Sequence, residues 1–360
     1  MKEQGPIRVL VIDDSAYSRR TIIRMLETSP LIQVVDWARD GEEALRKALQ
    51  LRPDLVTLDL EMPRMDGFTF LRLLMAKRPT PVLVVSGRTG DDTVFKALEL
   101  GAVDFVAKPS LRAAPELATI QEELIRKVHG TRQLNMEKLR DRISQAPSVV
   151  RPSEGSGAGP LRVIAIGSST GGPAALMQIF GAFTEPPECA FVVSQHMPPG
   201  FTRGFAERLD RLTHVTAREA RVGEMLEPGV VLVAPGGNHL EFESRGTATV
   251  TKLASRAEGD KYAPSVDRMF VSAAKHFGQN VLAVVLTGMG DDGREGVTAV
   301  RQGGGNVIAE SEETAVIFGM PQQAIRTGAV DAVLPLAEIA PVIQAGLARK
   351  REPRSGERSV

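Results

Sequence analysis

The chain has 360 residues, which at about 150 residues per domain is too long for one ordinary core and predicts two or three domains. Hydrophobic residues make up 42% and charged residues 24% of the sequence, proportions typical of a globular protein. The 44 Lys and Arg residues balance 44 Asp and Glu residues, and only 4% of residues are aromatic, so neither charge nor stacking material favours nucleic-acid binding.

Three features of the sequence predict a cytoplasmic protein. Cys189 is the only cysteine, so no intrachain disulfide can form and a reducing compartment is expected. The first 15 residues carry acidic side chains too early for a signal peptide. No apolar stretch approaches the ~18 residues that a bilayer span needs, so direct membrane insertion is not expected.

Residues 1–129 alternate between apolar strand-like segments and segments with helical periodicity. The five strand-like segments are IRVLVI, QVVDWA, DLVTLDL, PVLVVS and VDFVA. Repeats of this kind form parallel sheets with helices on both faces, so the pattern predicts a doubly wound α/β domain. Residues 130–160 break the pattern, because a charged segment with a possible helix is followed by Pro, Gly and Ser; this composition predicts a linker.

The alternation resumes over residues 161–348 and predicts a second α/β domain. Its strand-like segments are RVIAIG, AFVVSQ, VVLVAPG, TATVTKL, NVLAVVLTG, GNVIAE and AVDAVLPL. Helical periodicity fits residues 173–182, 202–212, 265–277, 293–302 and 337–348. The segments HLEFESRG and TATVTKL predict an inserted hairpin with Gly246 near its turn. Residues 349–360 are predicted to be a polar tail with frayed structure.

Charged and polar residues follow the strands of the first domain. Asp13 and Asp14 close the first strand and Asp59 the third, so in a doubly wound sheet they meet at the carboxyl edge. Crowded carboxylates need a cation, and Mg²⁺ prefers oxygen ligands. Lys108 and Ser86 follow two further strands and offer donors to phosphoryl oxygens. The Asp pair alone would suggest only a helix cap, but the joint pattern predicts a phosphate-accepting switch.

With LDLEMPRMDG and the Lys-Pro pair included, residues 7 to 128 resemble a two-component receiver domain of flavodoxin-like fold. The resemblance implies that Asp59 accepts a phosphoryl group from a histidine kinase with Mg²⁺ bound nearby. It assigns the metal to Asp13, Asp14, Asp59 and the backbone carbonyl of Glu61. It also implies a switch that rearranges on phosphorylation and contains Lys108, Ser86 and Phe105.

The second domain opens with a possible nucleophile. Gly167, Ser169 and Gly171 form G-x-S-x-G between a strand and a helix, the pattern of a nucleophile elbow. A glycine-rich loop in this position also cradles phosphates in many proteins, so nucleotide binding is an equal alternative from this motif alone.

A base and an acid are available at other strand ends. His196 and His239 each follow a strand directly, and the residue pattern does not choose between them. Asp291 and Asp292 follow the strand LAVVL, where one carboxylate could orient an imidazole. Their alternative role is to cap the helix that begins after them.

Four motifs in order, IGSSTGGP, QHMPPGFTRGFAERL, LTGMGDDG and FGMPQQAI, resemble the catalytic domain of the chemotaxis protein-glutamate methylesterases, the CheB family. The resemblance covers residues 161 to about 348 and implies a Rossmann-like domain. It assigns the nucleophile to Ser169, the base to His196 and the acid to Asp292. Met289 and Thr170 fall at positions associated with the oxyanion hole and with support of the histidine.

Two positions depart from the usual family wording. Position 168 is Ser where Ala is common, and position 291 is Asp where Asn is frequent. Ser168 and Asp291 are therefore a second candidate nucleophile and a second candidate acid. Ser169 and Asp292 are favoured by their motif positions.

The expected function is a phosphorylation-activated serine hydrolase that removes methyl esters from glutamates of chemoreceptors and deamidates glutamines. The expected cofactors are Mg²⁺ in the receiver and none in the catalytic domain. The receiver is expected to cover the catalytic edge until Asp59 is phosphorylated. The alternatives are a phosphorylation-controlled signalling adaptor and a nucleotide-binding protein, both without esterase activity.

Overall fold

The structure, a computed structural model, describes residues 5–87, 92–108, 114–144 and 162–348. The predicted tail at 349–360 and the predicted linker from 145 onward lie outside the described residues. Within the described residues, no helix is both long enough and apolar enough to cross a membrane.

The N-terminal domain is a five-stranded parallel sheet with helices on both faces. Its strands are β1 (Ile7–Ile12), β2 (Ile32–Ala38), β3 (Leu55–Leu58), β4 (Val82–Ser86) and β5 (Asp104–Ala107). Its helices are α1 (Ala16–Glu27), α2 (Gly41–Leu51), α3 (Gly67–Lys77), α4 (Asp92–Glu99) and α5 (Ala114–Gly130). The strand order β2-β1-β3-β4-β5 is that of flavodoxin-like folds, which confirms the predicted fold class.

A short helix, α6 (Met136–Ser144), begins the segment that was predicted as a linker. Its residue Leu139 is buried against Val316 and Ile317 of the C-terminal domain. Part of the predicted linker is therefore helical, and Leu139 anchors it to the C-terminal domain.

The C-terminal domain is a seven-stranded parallel sheet with an added antiparallel hairpin. The sheet strands are β6 (Val163–Ser168), β7 (Ala190–Gln195), β8 (Thr216–Glu219), β9 (Val230–Val233), β12 (Val281–Val285), β13 (Asn306–Glu310) and β14 (Ala332–Leu334). The hairpin strands are β10 (Asn238–Arg245) and β11 (Ala248–Ser255). The helices are α7 (Gly172–Gly181), α8 (Phe201–Leu212), α9 (Val266–Phe277), α10 (Arg294–Gln302), α11 (Met320–Arg326) and α12 (Leu336–Ala348).

The sheet order β14-β13-β12-β6-β7-β9-β8 places β6 between β12 and β7. The chain proceeds from β6 toward β7 on one side and later returns to β12 on the other. The gap beyond the carboxyl end of β6 is therefore a topological switch point, the place where open α/β sheets build their sites. Strands β6, β7 and β12 are fully buried, as their continuous apolar sequences require.

The two domains pack against each other through aromatic side chains. The ring centroids of Phe105 on β5 and Phe201 on α8 are 4.7 Å apart, and those of Phe95 on α4 and Phe205 on α8 are 5.6 Å apart. All four side chains are buried. Burial of apolar surface between these rings stabilises the docked arrangement of the domains.

Candidate active site

Ser169 is the first residue after β6, at the switch point. Its side chain is buried, and its backbone N–H donates to Thr287 O at 3.1 Å. Gly171, with φ of +79°, turns the chain into α7, a conformation that residues with a Cβ rarely adopt. The G-x-S-x-G segment therefore forms a strand-to-helix turn that presents Ser169 at the carboxyl edge.

His196 leaves the neighbouring strand beside Ser169. Ser168 on β6 pairs with Gln195 on β7, and His196 N–H donates to Ser168 O at 3.1 Å, so the two following residues lie side by side. His196 Nε2 lies 2.8 Å from Asp292 Oδ2. Its other ring nitrogen, Nδ1, is buried and has no hydrogen-bond partner among the described residues.

Asp292 is held rigidly by donors from the start of α9. It accepts hydrogen bonds from Val266 N at 2.7 Å, Asp267 N at 2.9 Å and Ser265 Oγ at 3.0 Å. Although burial alone would raise it, the bonds from His196 and from these backbone N–H groups hold the pKa of Asp292 below its usual value. An ionised Asp292 can orient the imidazole and stabilise its protonated form.

Two residues that sequence reasoning missed support this pair. Tyr262 stacks on the His196 ring with centroids 4.3 Å apart and an angle of 9°. Gln195 Nε2 donates to Ser169 O at 2.9 Å and to His196 O at 3.2 Å, and so joins the two loops. Gln195 directly precedes His196 in its motif, but nothing in the sequence marks Tyr262.

The alternative side chains have other partners. Ser168 Oγ is fully buried and donates to Gln195 Oε1 at 2.6 Å. His239 Nε2 lies 2.8 Å from Asp260 Oδ2. Asp291 is exposed and pairs with Lys261 at 2.7 Å. These contacts favour Ser169, His196 and Asp292 as the reactive set.

Thr170 and Met289 both contact the N-terminal domain. Thr170 Oγ1 donates to Asp104 Oδ2, at the start of β5, at 2.5 Å. A Cβ added at Gly130, the last residue of α5, would lie 2.2 Å from Met289 Sδ, so these residues touch. The two residues that the resemblance associates with the oxyanion hole and with support of the histidine are therefore both in contact with the other domain.

The acidic cluster of the N-terminal domain forms at the carboxyl ends of β1 and β3. One carboxylate oxygen from each of Asp13, Asp14 and Asp59 lies within 4.8 Å of the others. Lys108 Nζ lies 2.6 Å from Asp59 Oδ2 and 3.2 Å from Asp13 Oδ2. Burial and the charge of Asp59 raise the pKa of Asp13 to about 6, against the opposing effect of Lys108. One ammonium does not neutralise three carboxylates, and the oxygen donor set fits a hard cation.

The remaining predicted metal-ligand and switch residues lie after β3, at the end of β4 and on β5. Glu61 N–H donates to Asp59 Oδ1 at 3.3 Å. Ser86 ends β4, and its carbonyl accepts from Lys108 N–H at 2.7 Å. Phe105 is buried and packs on Phe201 across the domain boundary. The cluster is thus linked through β5 to the surface that covers the catalytic domain.

Comparison with known proteins relates both domains to described families. A family model described as CheB methylesterase matches residues 164–343, and one described as response regulator receiver domain matches residues 9–119. The protein-glutamate methylesterase/protein-glutamine glutaminase 3 of Geobacter sulfurreducens is 51% identical over 354 residues, covering 92% of this chain and 94% of that protein. The corresponding protein 1 of Myxococcus xanthus is 50% identical and covers 98% of this chain and 100% of that protein.

A solved structure is also similar. The crystal structure of the Thermotoga maritima CheB methylesterase catalytic domain has 40% sequence identity and a TM-score of 0.50. It covers 52% of this chain and 99% of that chain.

Proposed function

Because this chain belongs to the CheB methylesterase family and carries a receiver domain, we propose that Ser169, His196 and Asp292 perform its hydrolytic chemistry. The protein is a protein-glutamate methylesterase and protein-glutamine glutaminase under control of phosphorylation. The observation that supports the residue roles best is the 2.8 Å contact between His196 and Asp292 beside Ser169 at the switch point.

In the first half of the reaction, Ser169 Oγ attacks the carbonyl carbon of a glutamyl methyl ester. Its proton passes to the free ring nitrogen of His196, and Asp292 stabilises the resulting imidazolium. The bond between carbon and methoxy oxygen then breaks, and His196 returns the proton to release methanol. The product of this half is an acyl-enzyme on Ser169.

In the second half, His196 takes a proton from water as the water attacks the acyl-enzyme. The bond to Ser169 Oγ breaks, Ser169 recovers its proton, and a glutamate side chain is released. With glutamine as substrate the leaving group is ammonia instead of methanol. The negative charge on the carbonyl oxygen develops near Thr170 and Met289, where a donor would stabilise it.

The receiver controls access to this chemistry. Asp59 accepts the phosphoryl group, and Lys108 and Ser86 contact its oxygens. The acidic cluster fits Mg²⁺, held by Asp13, Asp14, Asp59 and the carbonyl of Glu61, and the bound cation would neutralise the crowded carboxylates and phosphoryl oxygens. The contacts of the docked receiver with Thr170 and Met289 support inhibition in the unphosphorylated state.

The partners follow from the same chemistry. The substrates are methylated or amidated side chains of chemoreceptors, and the phosphoryl donor is the histidine kinase of the same pathway. Both meet the protein in the cytoplasm, where receptor signalling segments lie. No role in nucleic-acid binding and no insertion into the membrane is proposed.

Substitution of the two adjacent serines tests the site. We expect Ser169→Ala to lower methanol release from a methylated receptor by on the order of 10³-fold or more, because the attacking oxygen is removed. The matched control Ser168→Ala loses only its hydrogen bond to Gln195 and should stay within several-fold of the unsubstituted protein. Comparable turnover by Ser169→Ala, or loss of activity only in Ser168→Ala, would move the nucleophile away from Ser169.

A further inference from the structure

The contact between Thr170 and the receiver belongs to a buried polar network. Asp104 accepts from Thr170 Oγ1 at 2.5 Å through one carboxylate oxygen and from Lys127 Nζ at 2.9 Å through the other. Lys127 also donates to Phe105 O at 2.6 Å and pairs with Glu123 at 3.0 Å. Asp104, Lys127 and Thr170 are all buried.

Buried charged groups make this network strong. Although burial favours the neutral amine, the charges of Asp104 and Glu123 raise the pKa of Lys127, so that its ammonium stays charged. A hydroxyl that donates to a carboxylate in a dry interface forms a charge-assisted hydrogen bond, which is stronger than one between neutral groups. Thr170 therefore has no hydroxyl proton left for the catalytic site while the domains are docked.

The network is continuous with the phosphorylation site. Asp104 begins the four-residue strand β5, and Lys108, which bonds to Asp59, directly follows its end. Phe105 lies between them and packs on Phe201 of the catalytic domain. A displacement of Lys108 toward a phosphoryl group on Asp59 would act on the same strand that holds Thr170.

A cavity next to His196 remains while the receiver is docked. A cavity of about 550 Å³ lies between α5 and the catalytic domain, and His196, Tyr262 and Arg126 are among the residues that line it. This volume is within the ~300–1,000 Å³ range of small-ligand sites. Exclusion by bulk would therefore affect a receptor much more than a small ester.

We propose that Asp104 is an inhibitory positioning residue: it withdraws the Thr170 hydroxyl from the catalytic centre, so that the docked receiver lowers turnover as well as access. The proposal rests on the proposed function, in which Thr170 supports the reacting groups. Release of the receiver returns the Thr170 hydroxyl to the loop of the nucleophile. The docked receiver should therefore lower the kcat of the esterase for small and large substrates alike.

The test uses the full chain without phosphodonor and a small substrate, p-nitrophenyl acetate. The double variant Asp104→Leu/Lys127→Met removes the acceptor of the Thr170 hydroxyl and both buried charges together, which avoids leaving an unpaired ammonium in the interface. We expect its kcat to rise about tenfold or more with little change in KM. Addition of acetyl phosphate and Mg²⁺ to the unsubstituted chain should give a rise of the same kind.

The matched control is Asp92→Asn, which breaks contacts across the same interface without touching Thr170. Asp92 is half exposed and pairs with Arg208 at 3.1 Å and with Arg211. Its kcat for the small ester should stay within about twofold of the unsubstituted chain. Equal activation by Asp92→Asn, or no activation by the double variant, would overturn the proposal in favour of inhibition by docking alone.

Two further variants separate this proposal from the proposed function. Thr170→Val should lower the kcat of the phosphorylated chain and should cancel the gain produced by the double variant, while normal kcat in Thr170→Val would refute a role for its hydroxyl. Ser169→Ala should abolish turnover in every background. If Ser169→Ala is inactive while the Asp104 variants behave like the unsubstituted chain, only the inhibitory role of Asp104 fails.

Discussion

Two carboxyl groups, the half-buried Asp267 and the buried Asp292, are neighbours at the start of α9. Asp292 accepts the Asp267 backbone N–H, and Asp267 Oδ1 accepts from Gly296 N at 2.6 Å. Burial, together with the charge of Asp292, raises the pKa of Asp267 to about 7, while donors hold the pKa of Asp292 low. Below about pH 7 these opposite pKa shifts favour a proton on Asp267 and an ionised Asp292 next to His196.

This arrangement predicts how stability depends on pH. The folded pKa of Asp267, about 7, lies above the ordinary value of 3.8, so the folded state binds this proton more tightly than the unfolded state. Its contribution to the free energy of unfolding is therefore present at low pH and is lost as the pH rises through about 7. Asp267→Asn keeps an oxygen that can accept from Gly296 N–H but does not titrate. The urea midpoint of this variant should therefore depend less on pH between about 4 and 7 than that of the unsubstituted protein.

The control for this measurement is Asp291→Asn, which alters an exposed carboxylate beside Asp292. It is expected to keep the pH dependence of the unsubstituted protein. An unchanged slope in Asp267→Asn would show that the proton does not reside on this residue.

At the scale of elements, the turn from β6 into α7 determines where Ser169 lies. Gly171 has φ of +79°, and a Cβ there would come within 3.2 Å of Thr287 and Val316. Gly246, in the β10–β11 turn, also has positive φ, at +61°, but a Cβ there would meet nothing within 4 Å. Alanine substitutions at these two positions therefore distinguish destabilisation by backbone conformation from destabilisation by steric crowding.

We expect Gly171→Ala to destabilise the protein by about 1–2 kcal/mol through its backbone conformation, with a further loss from crowding, and to lower esterase activity as Ser169 moves. Gly246→Ala should show only the backbone cost and normal activity. Urea unfolding and methanol release measure both effects. If both variants lose the same stability and keep the same activity, the turn at Gly171 does not determine the position of Ser169.

The elements that were predictable from sequence are those with strong hydrophobic patterns. Long apolar strands such as β6, β7 and β12 and the hairpin around Gly246 lie where their sequences place them. The edge strand β8, Thr216–Glu219, was missed because it is short and carries charged residues, as edge strands do. Helix α11 was missed because its seven residues are too few to show periodicity.

The site was only partly predictable for a different reason. The sequence pattern predicts Ser169, His196 and Asp292 at one edge, but it also predicts His239 directly after a strand. In the structure His239 lies inside the hairpin strand β10, with Asp260 at 2.8 Å, and His196 is the histidine next to Asp292. The bond from Thr170 to Asp104 joins residues 66 positions apart in two domains. Local sequence contains no information about such docking, so the interface emerges only from the folded chain.

In the whole molecule, the receiver sheet contacts the catalytic domain through its edge strand β5. One end of β5 leads to Lys108, which bonds to Asp59, and the other end carries the contact of Asp104 with Thr170, while packing between Phe105 and Phe201 joins the domains. Charged contacts between Asp92 and the α8 residues Arg208 and Arg211 lie at the rim. The pair of Asp92 with Arg211 is exposed on both sides and contributes roughly 0–1 kcal/mol, whereas Arg208 is buried.

Control of the esterase by Asp59 can be tested by measuring methanol release from methylated chemoreceptor with and without acetyl phosphate and Mg²⁺, for the full chain and for Asp59→Asn. The phosphodonor should raise the rate of the unsubstituted chain about tenfold or more and leave Asp59→Asn at its basal rate. A rate that does not respond to the donor, or an equal response in Asp59→Asn, would contradict the central claim that Asp59 controls this esterase.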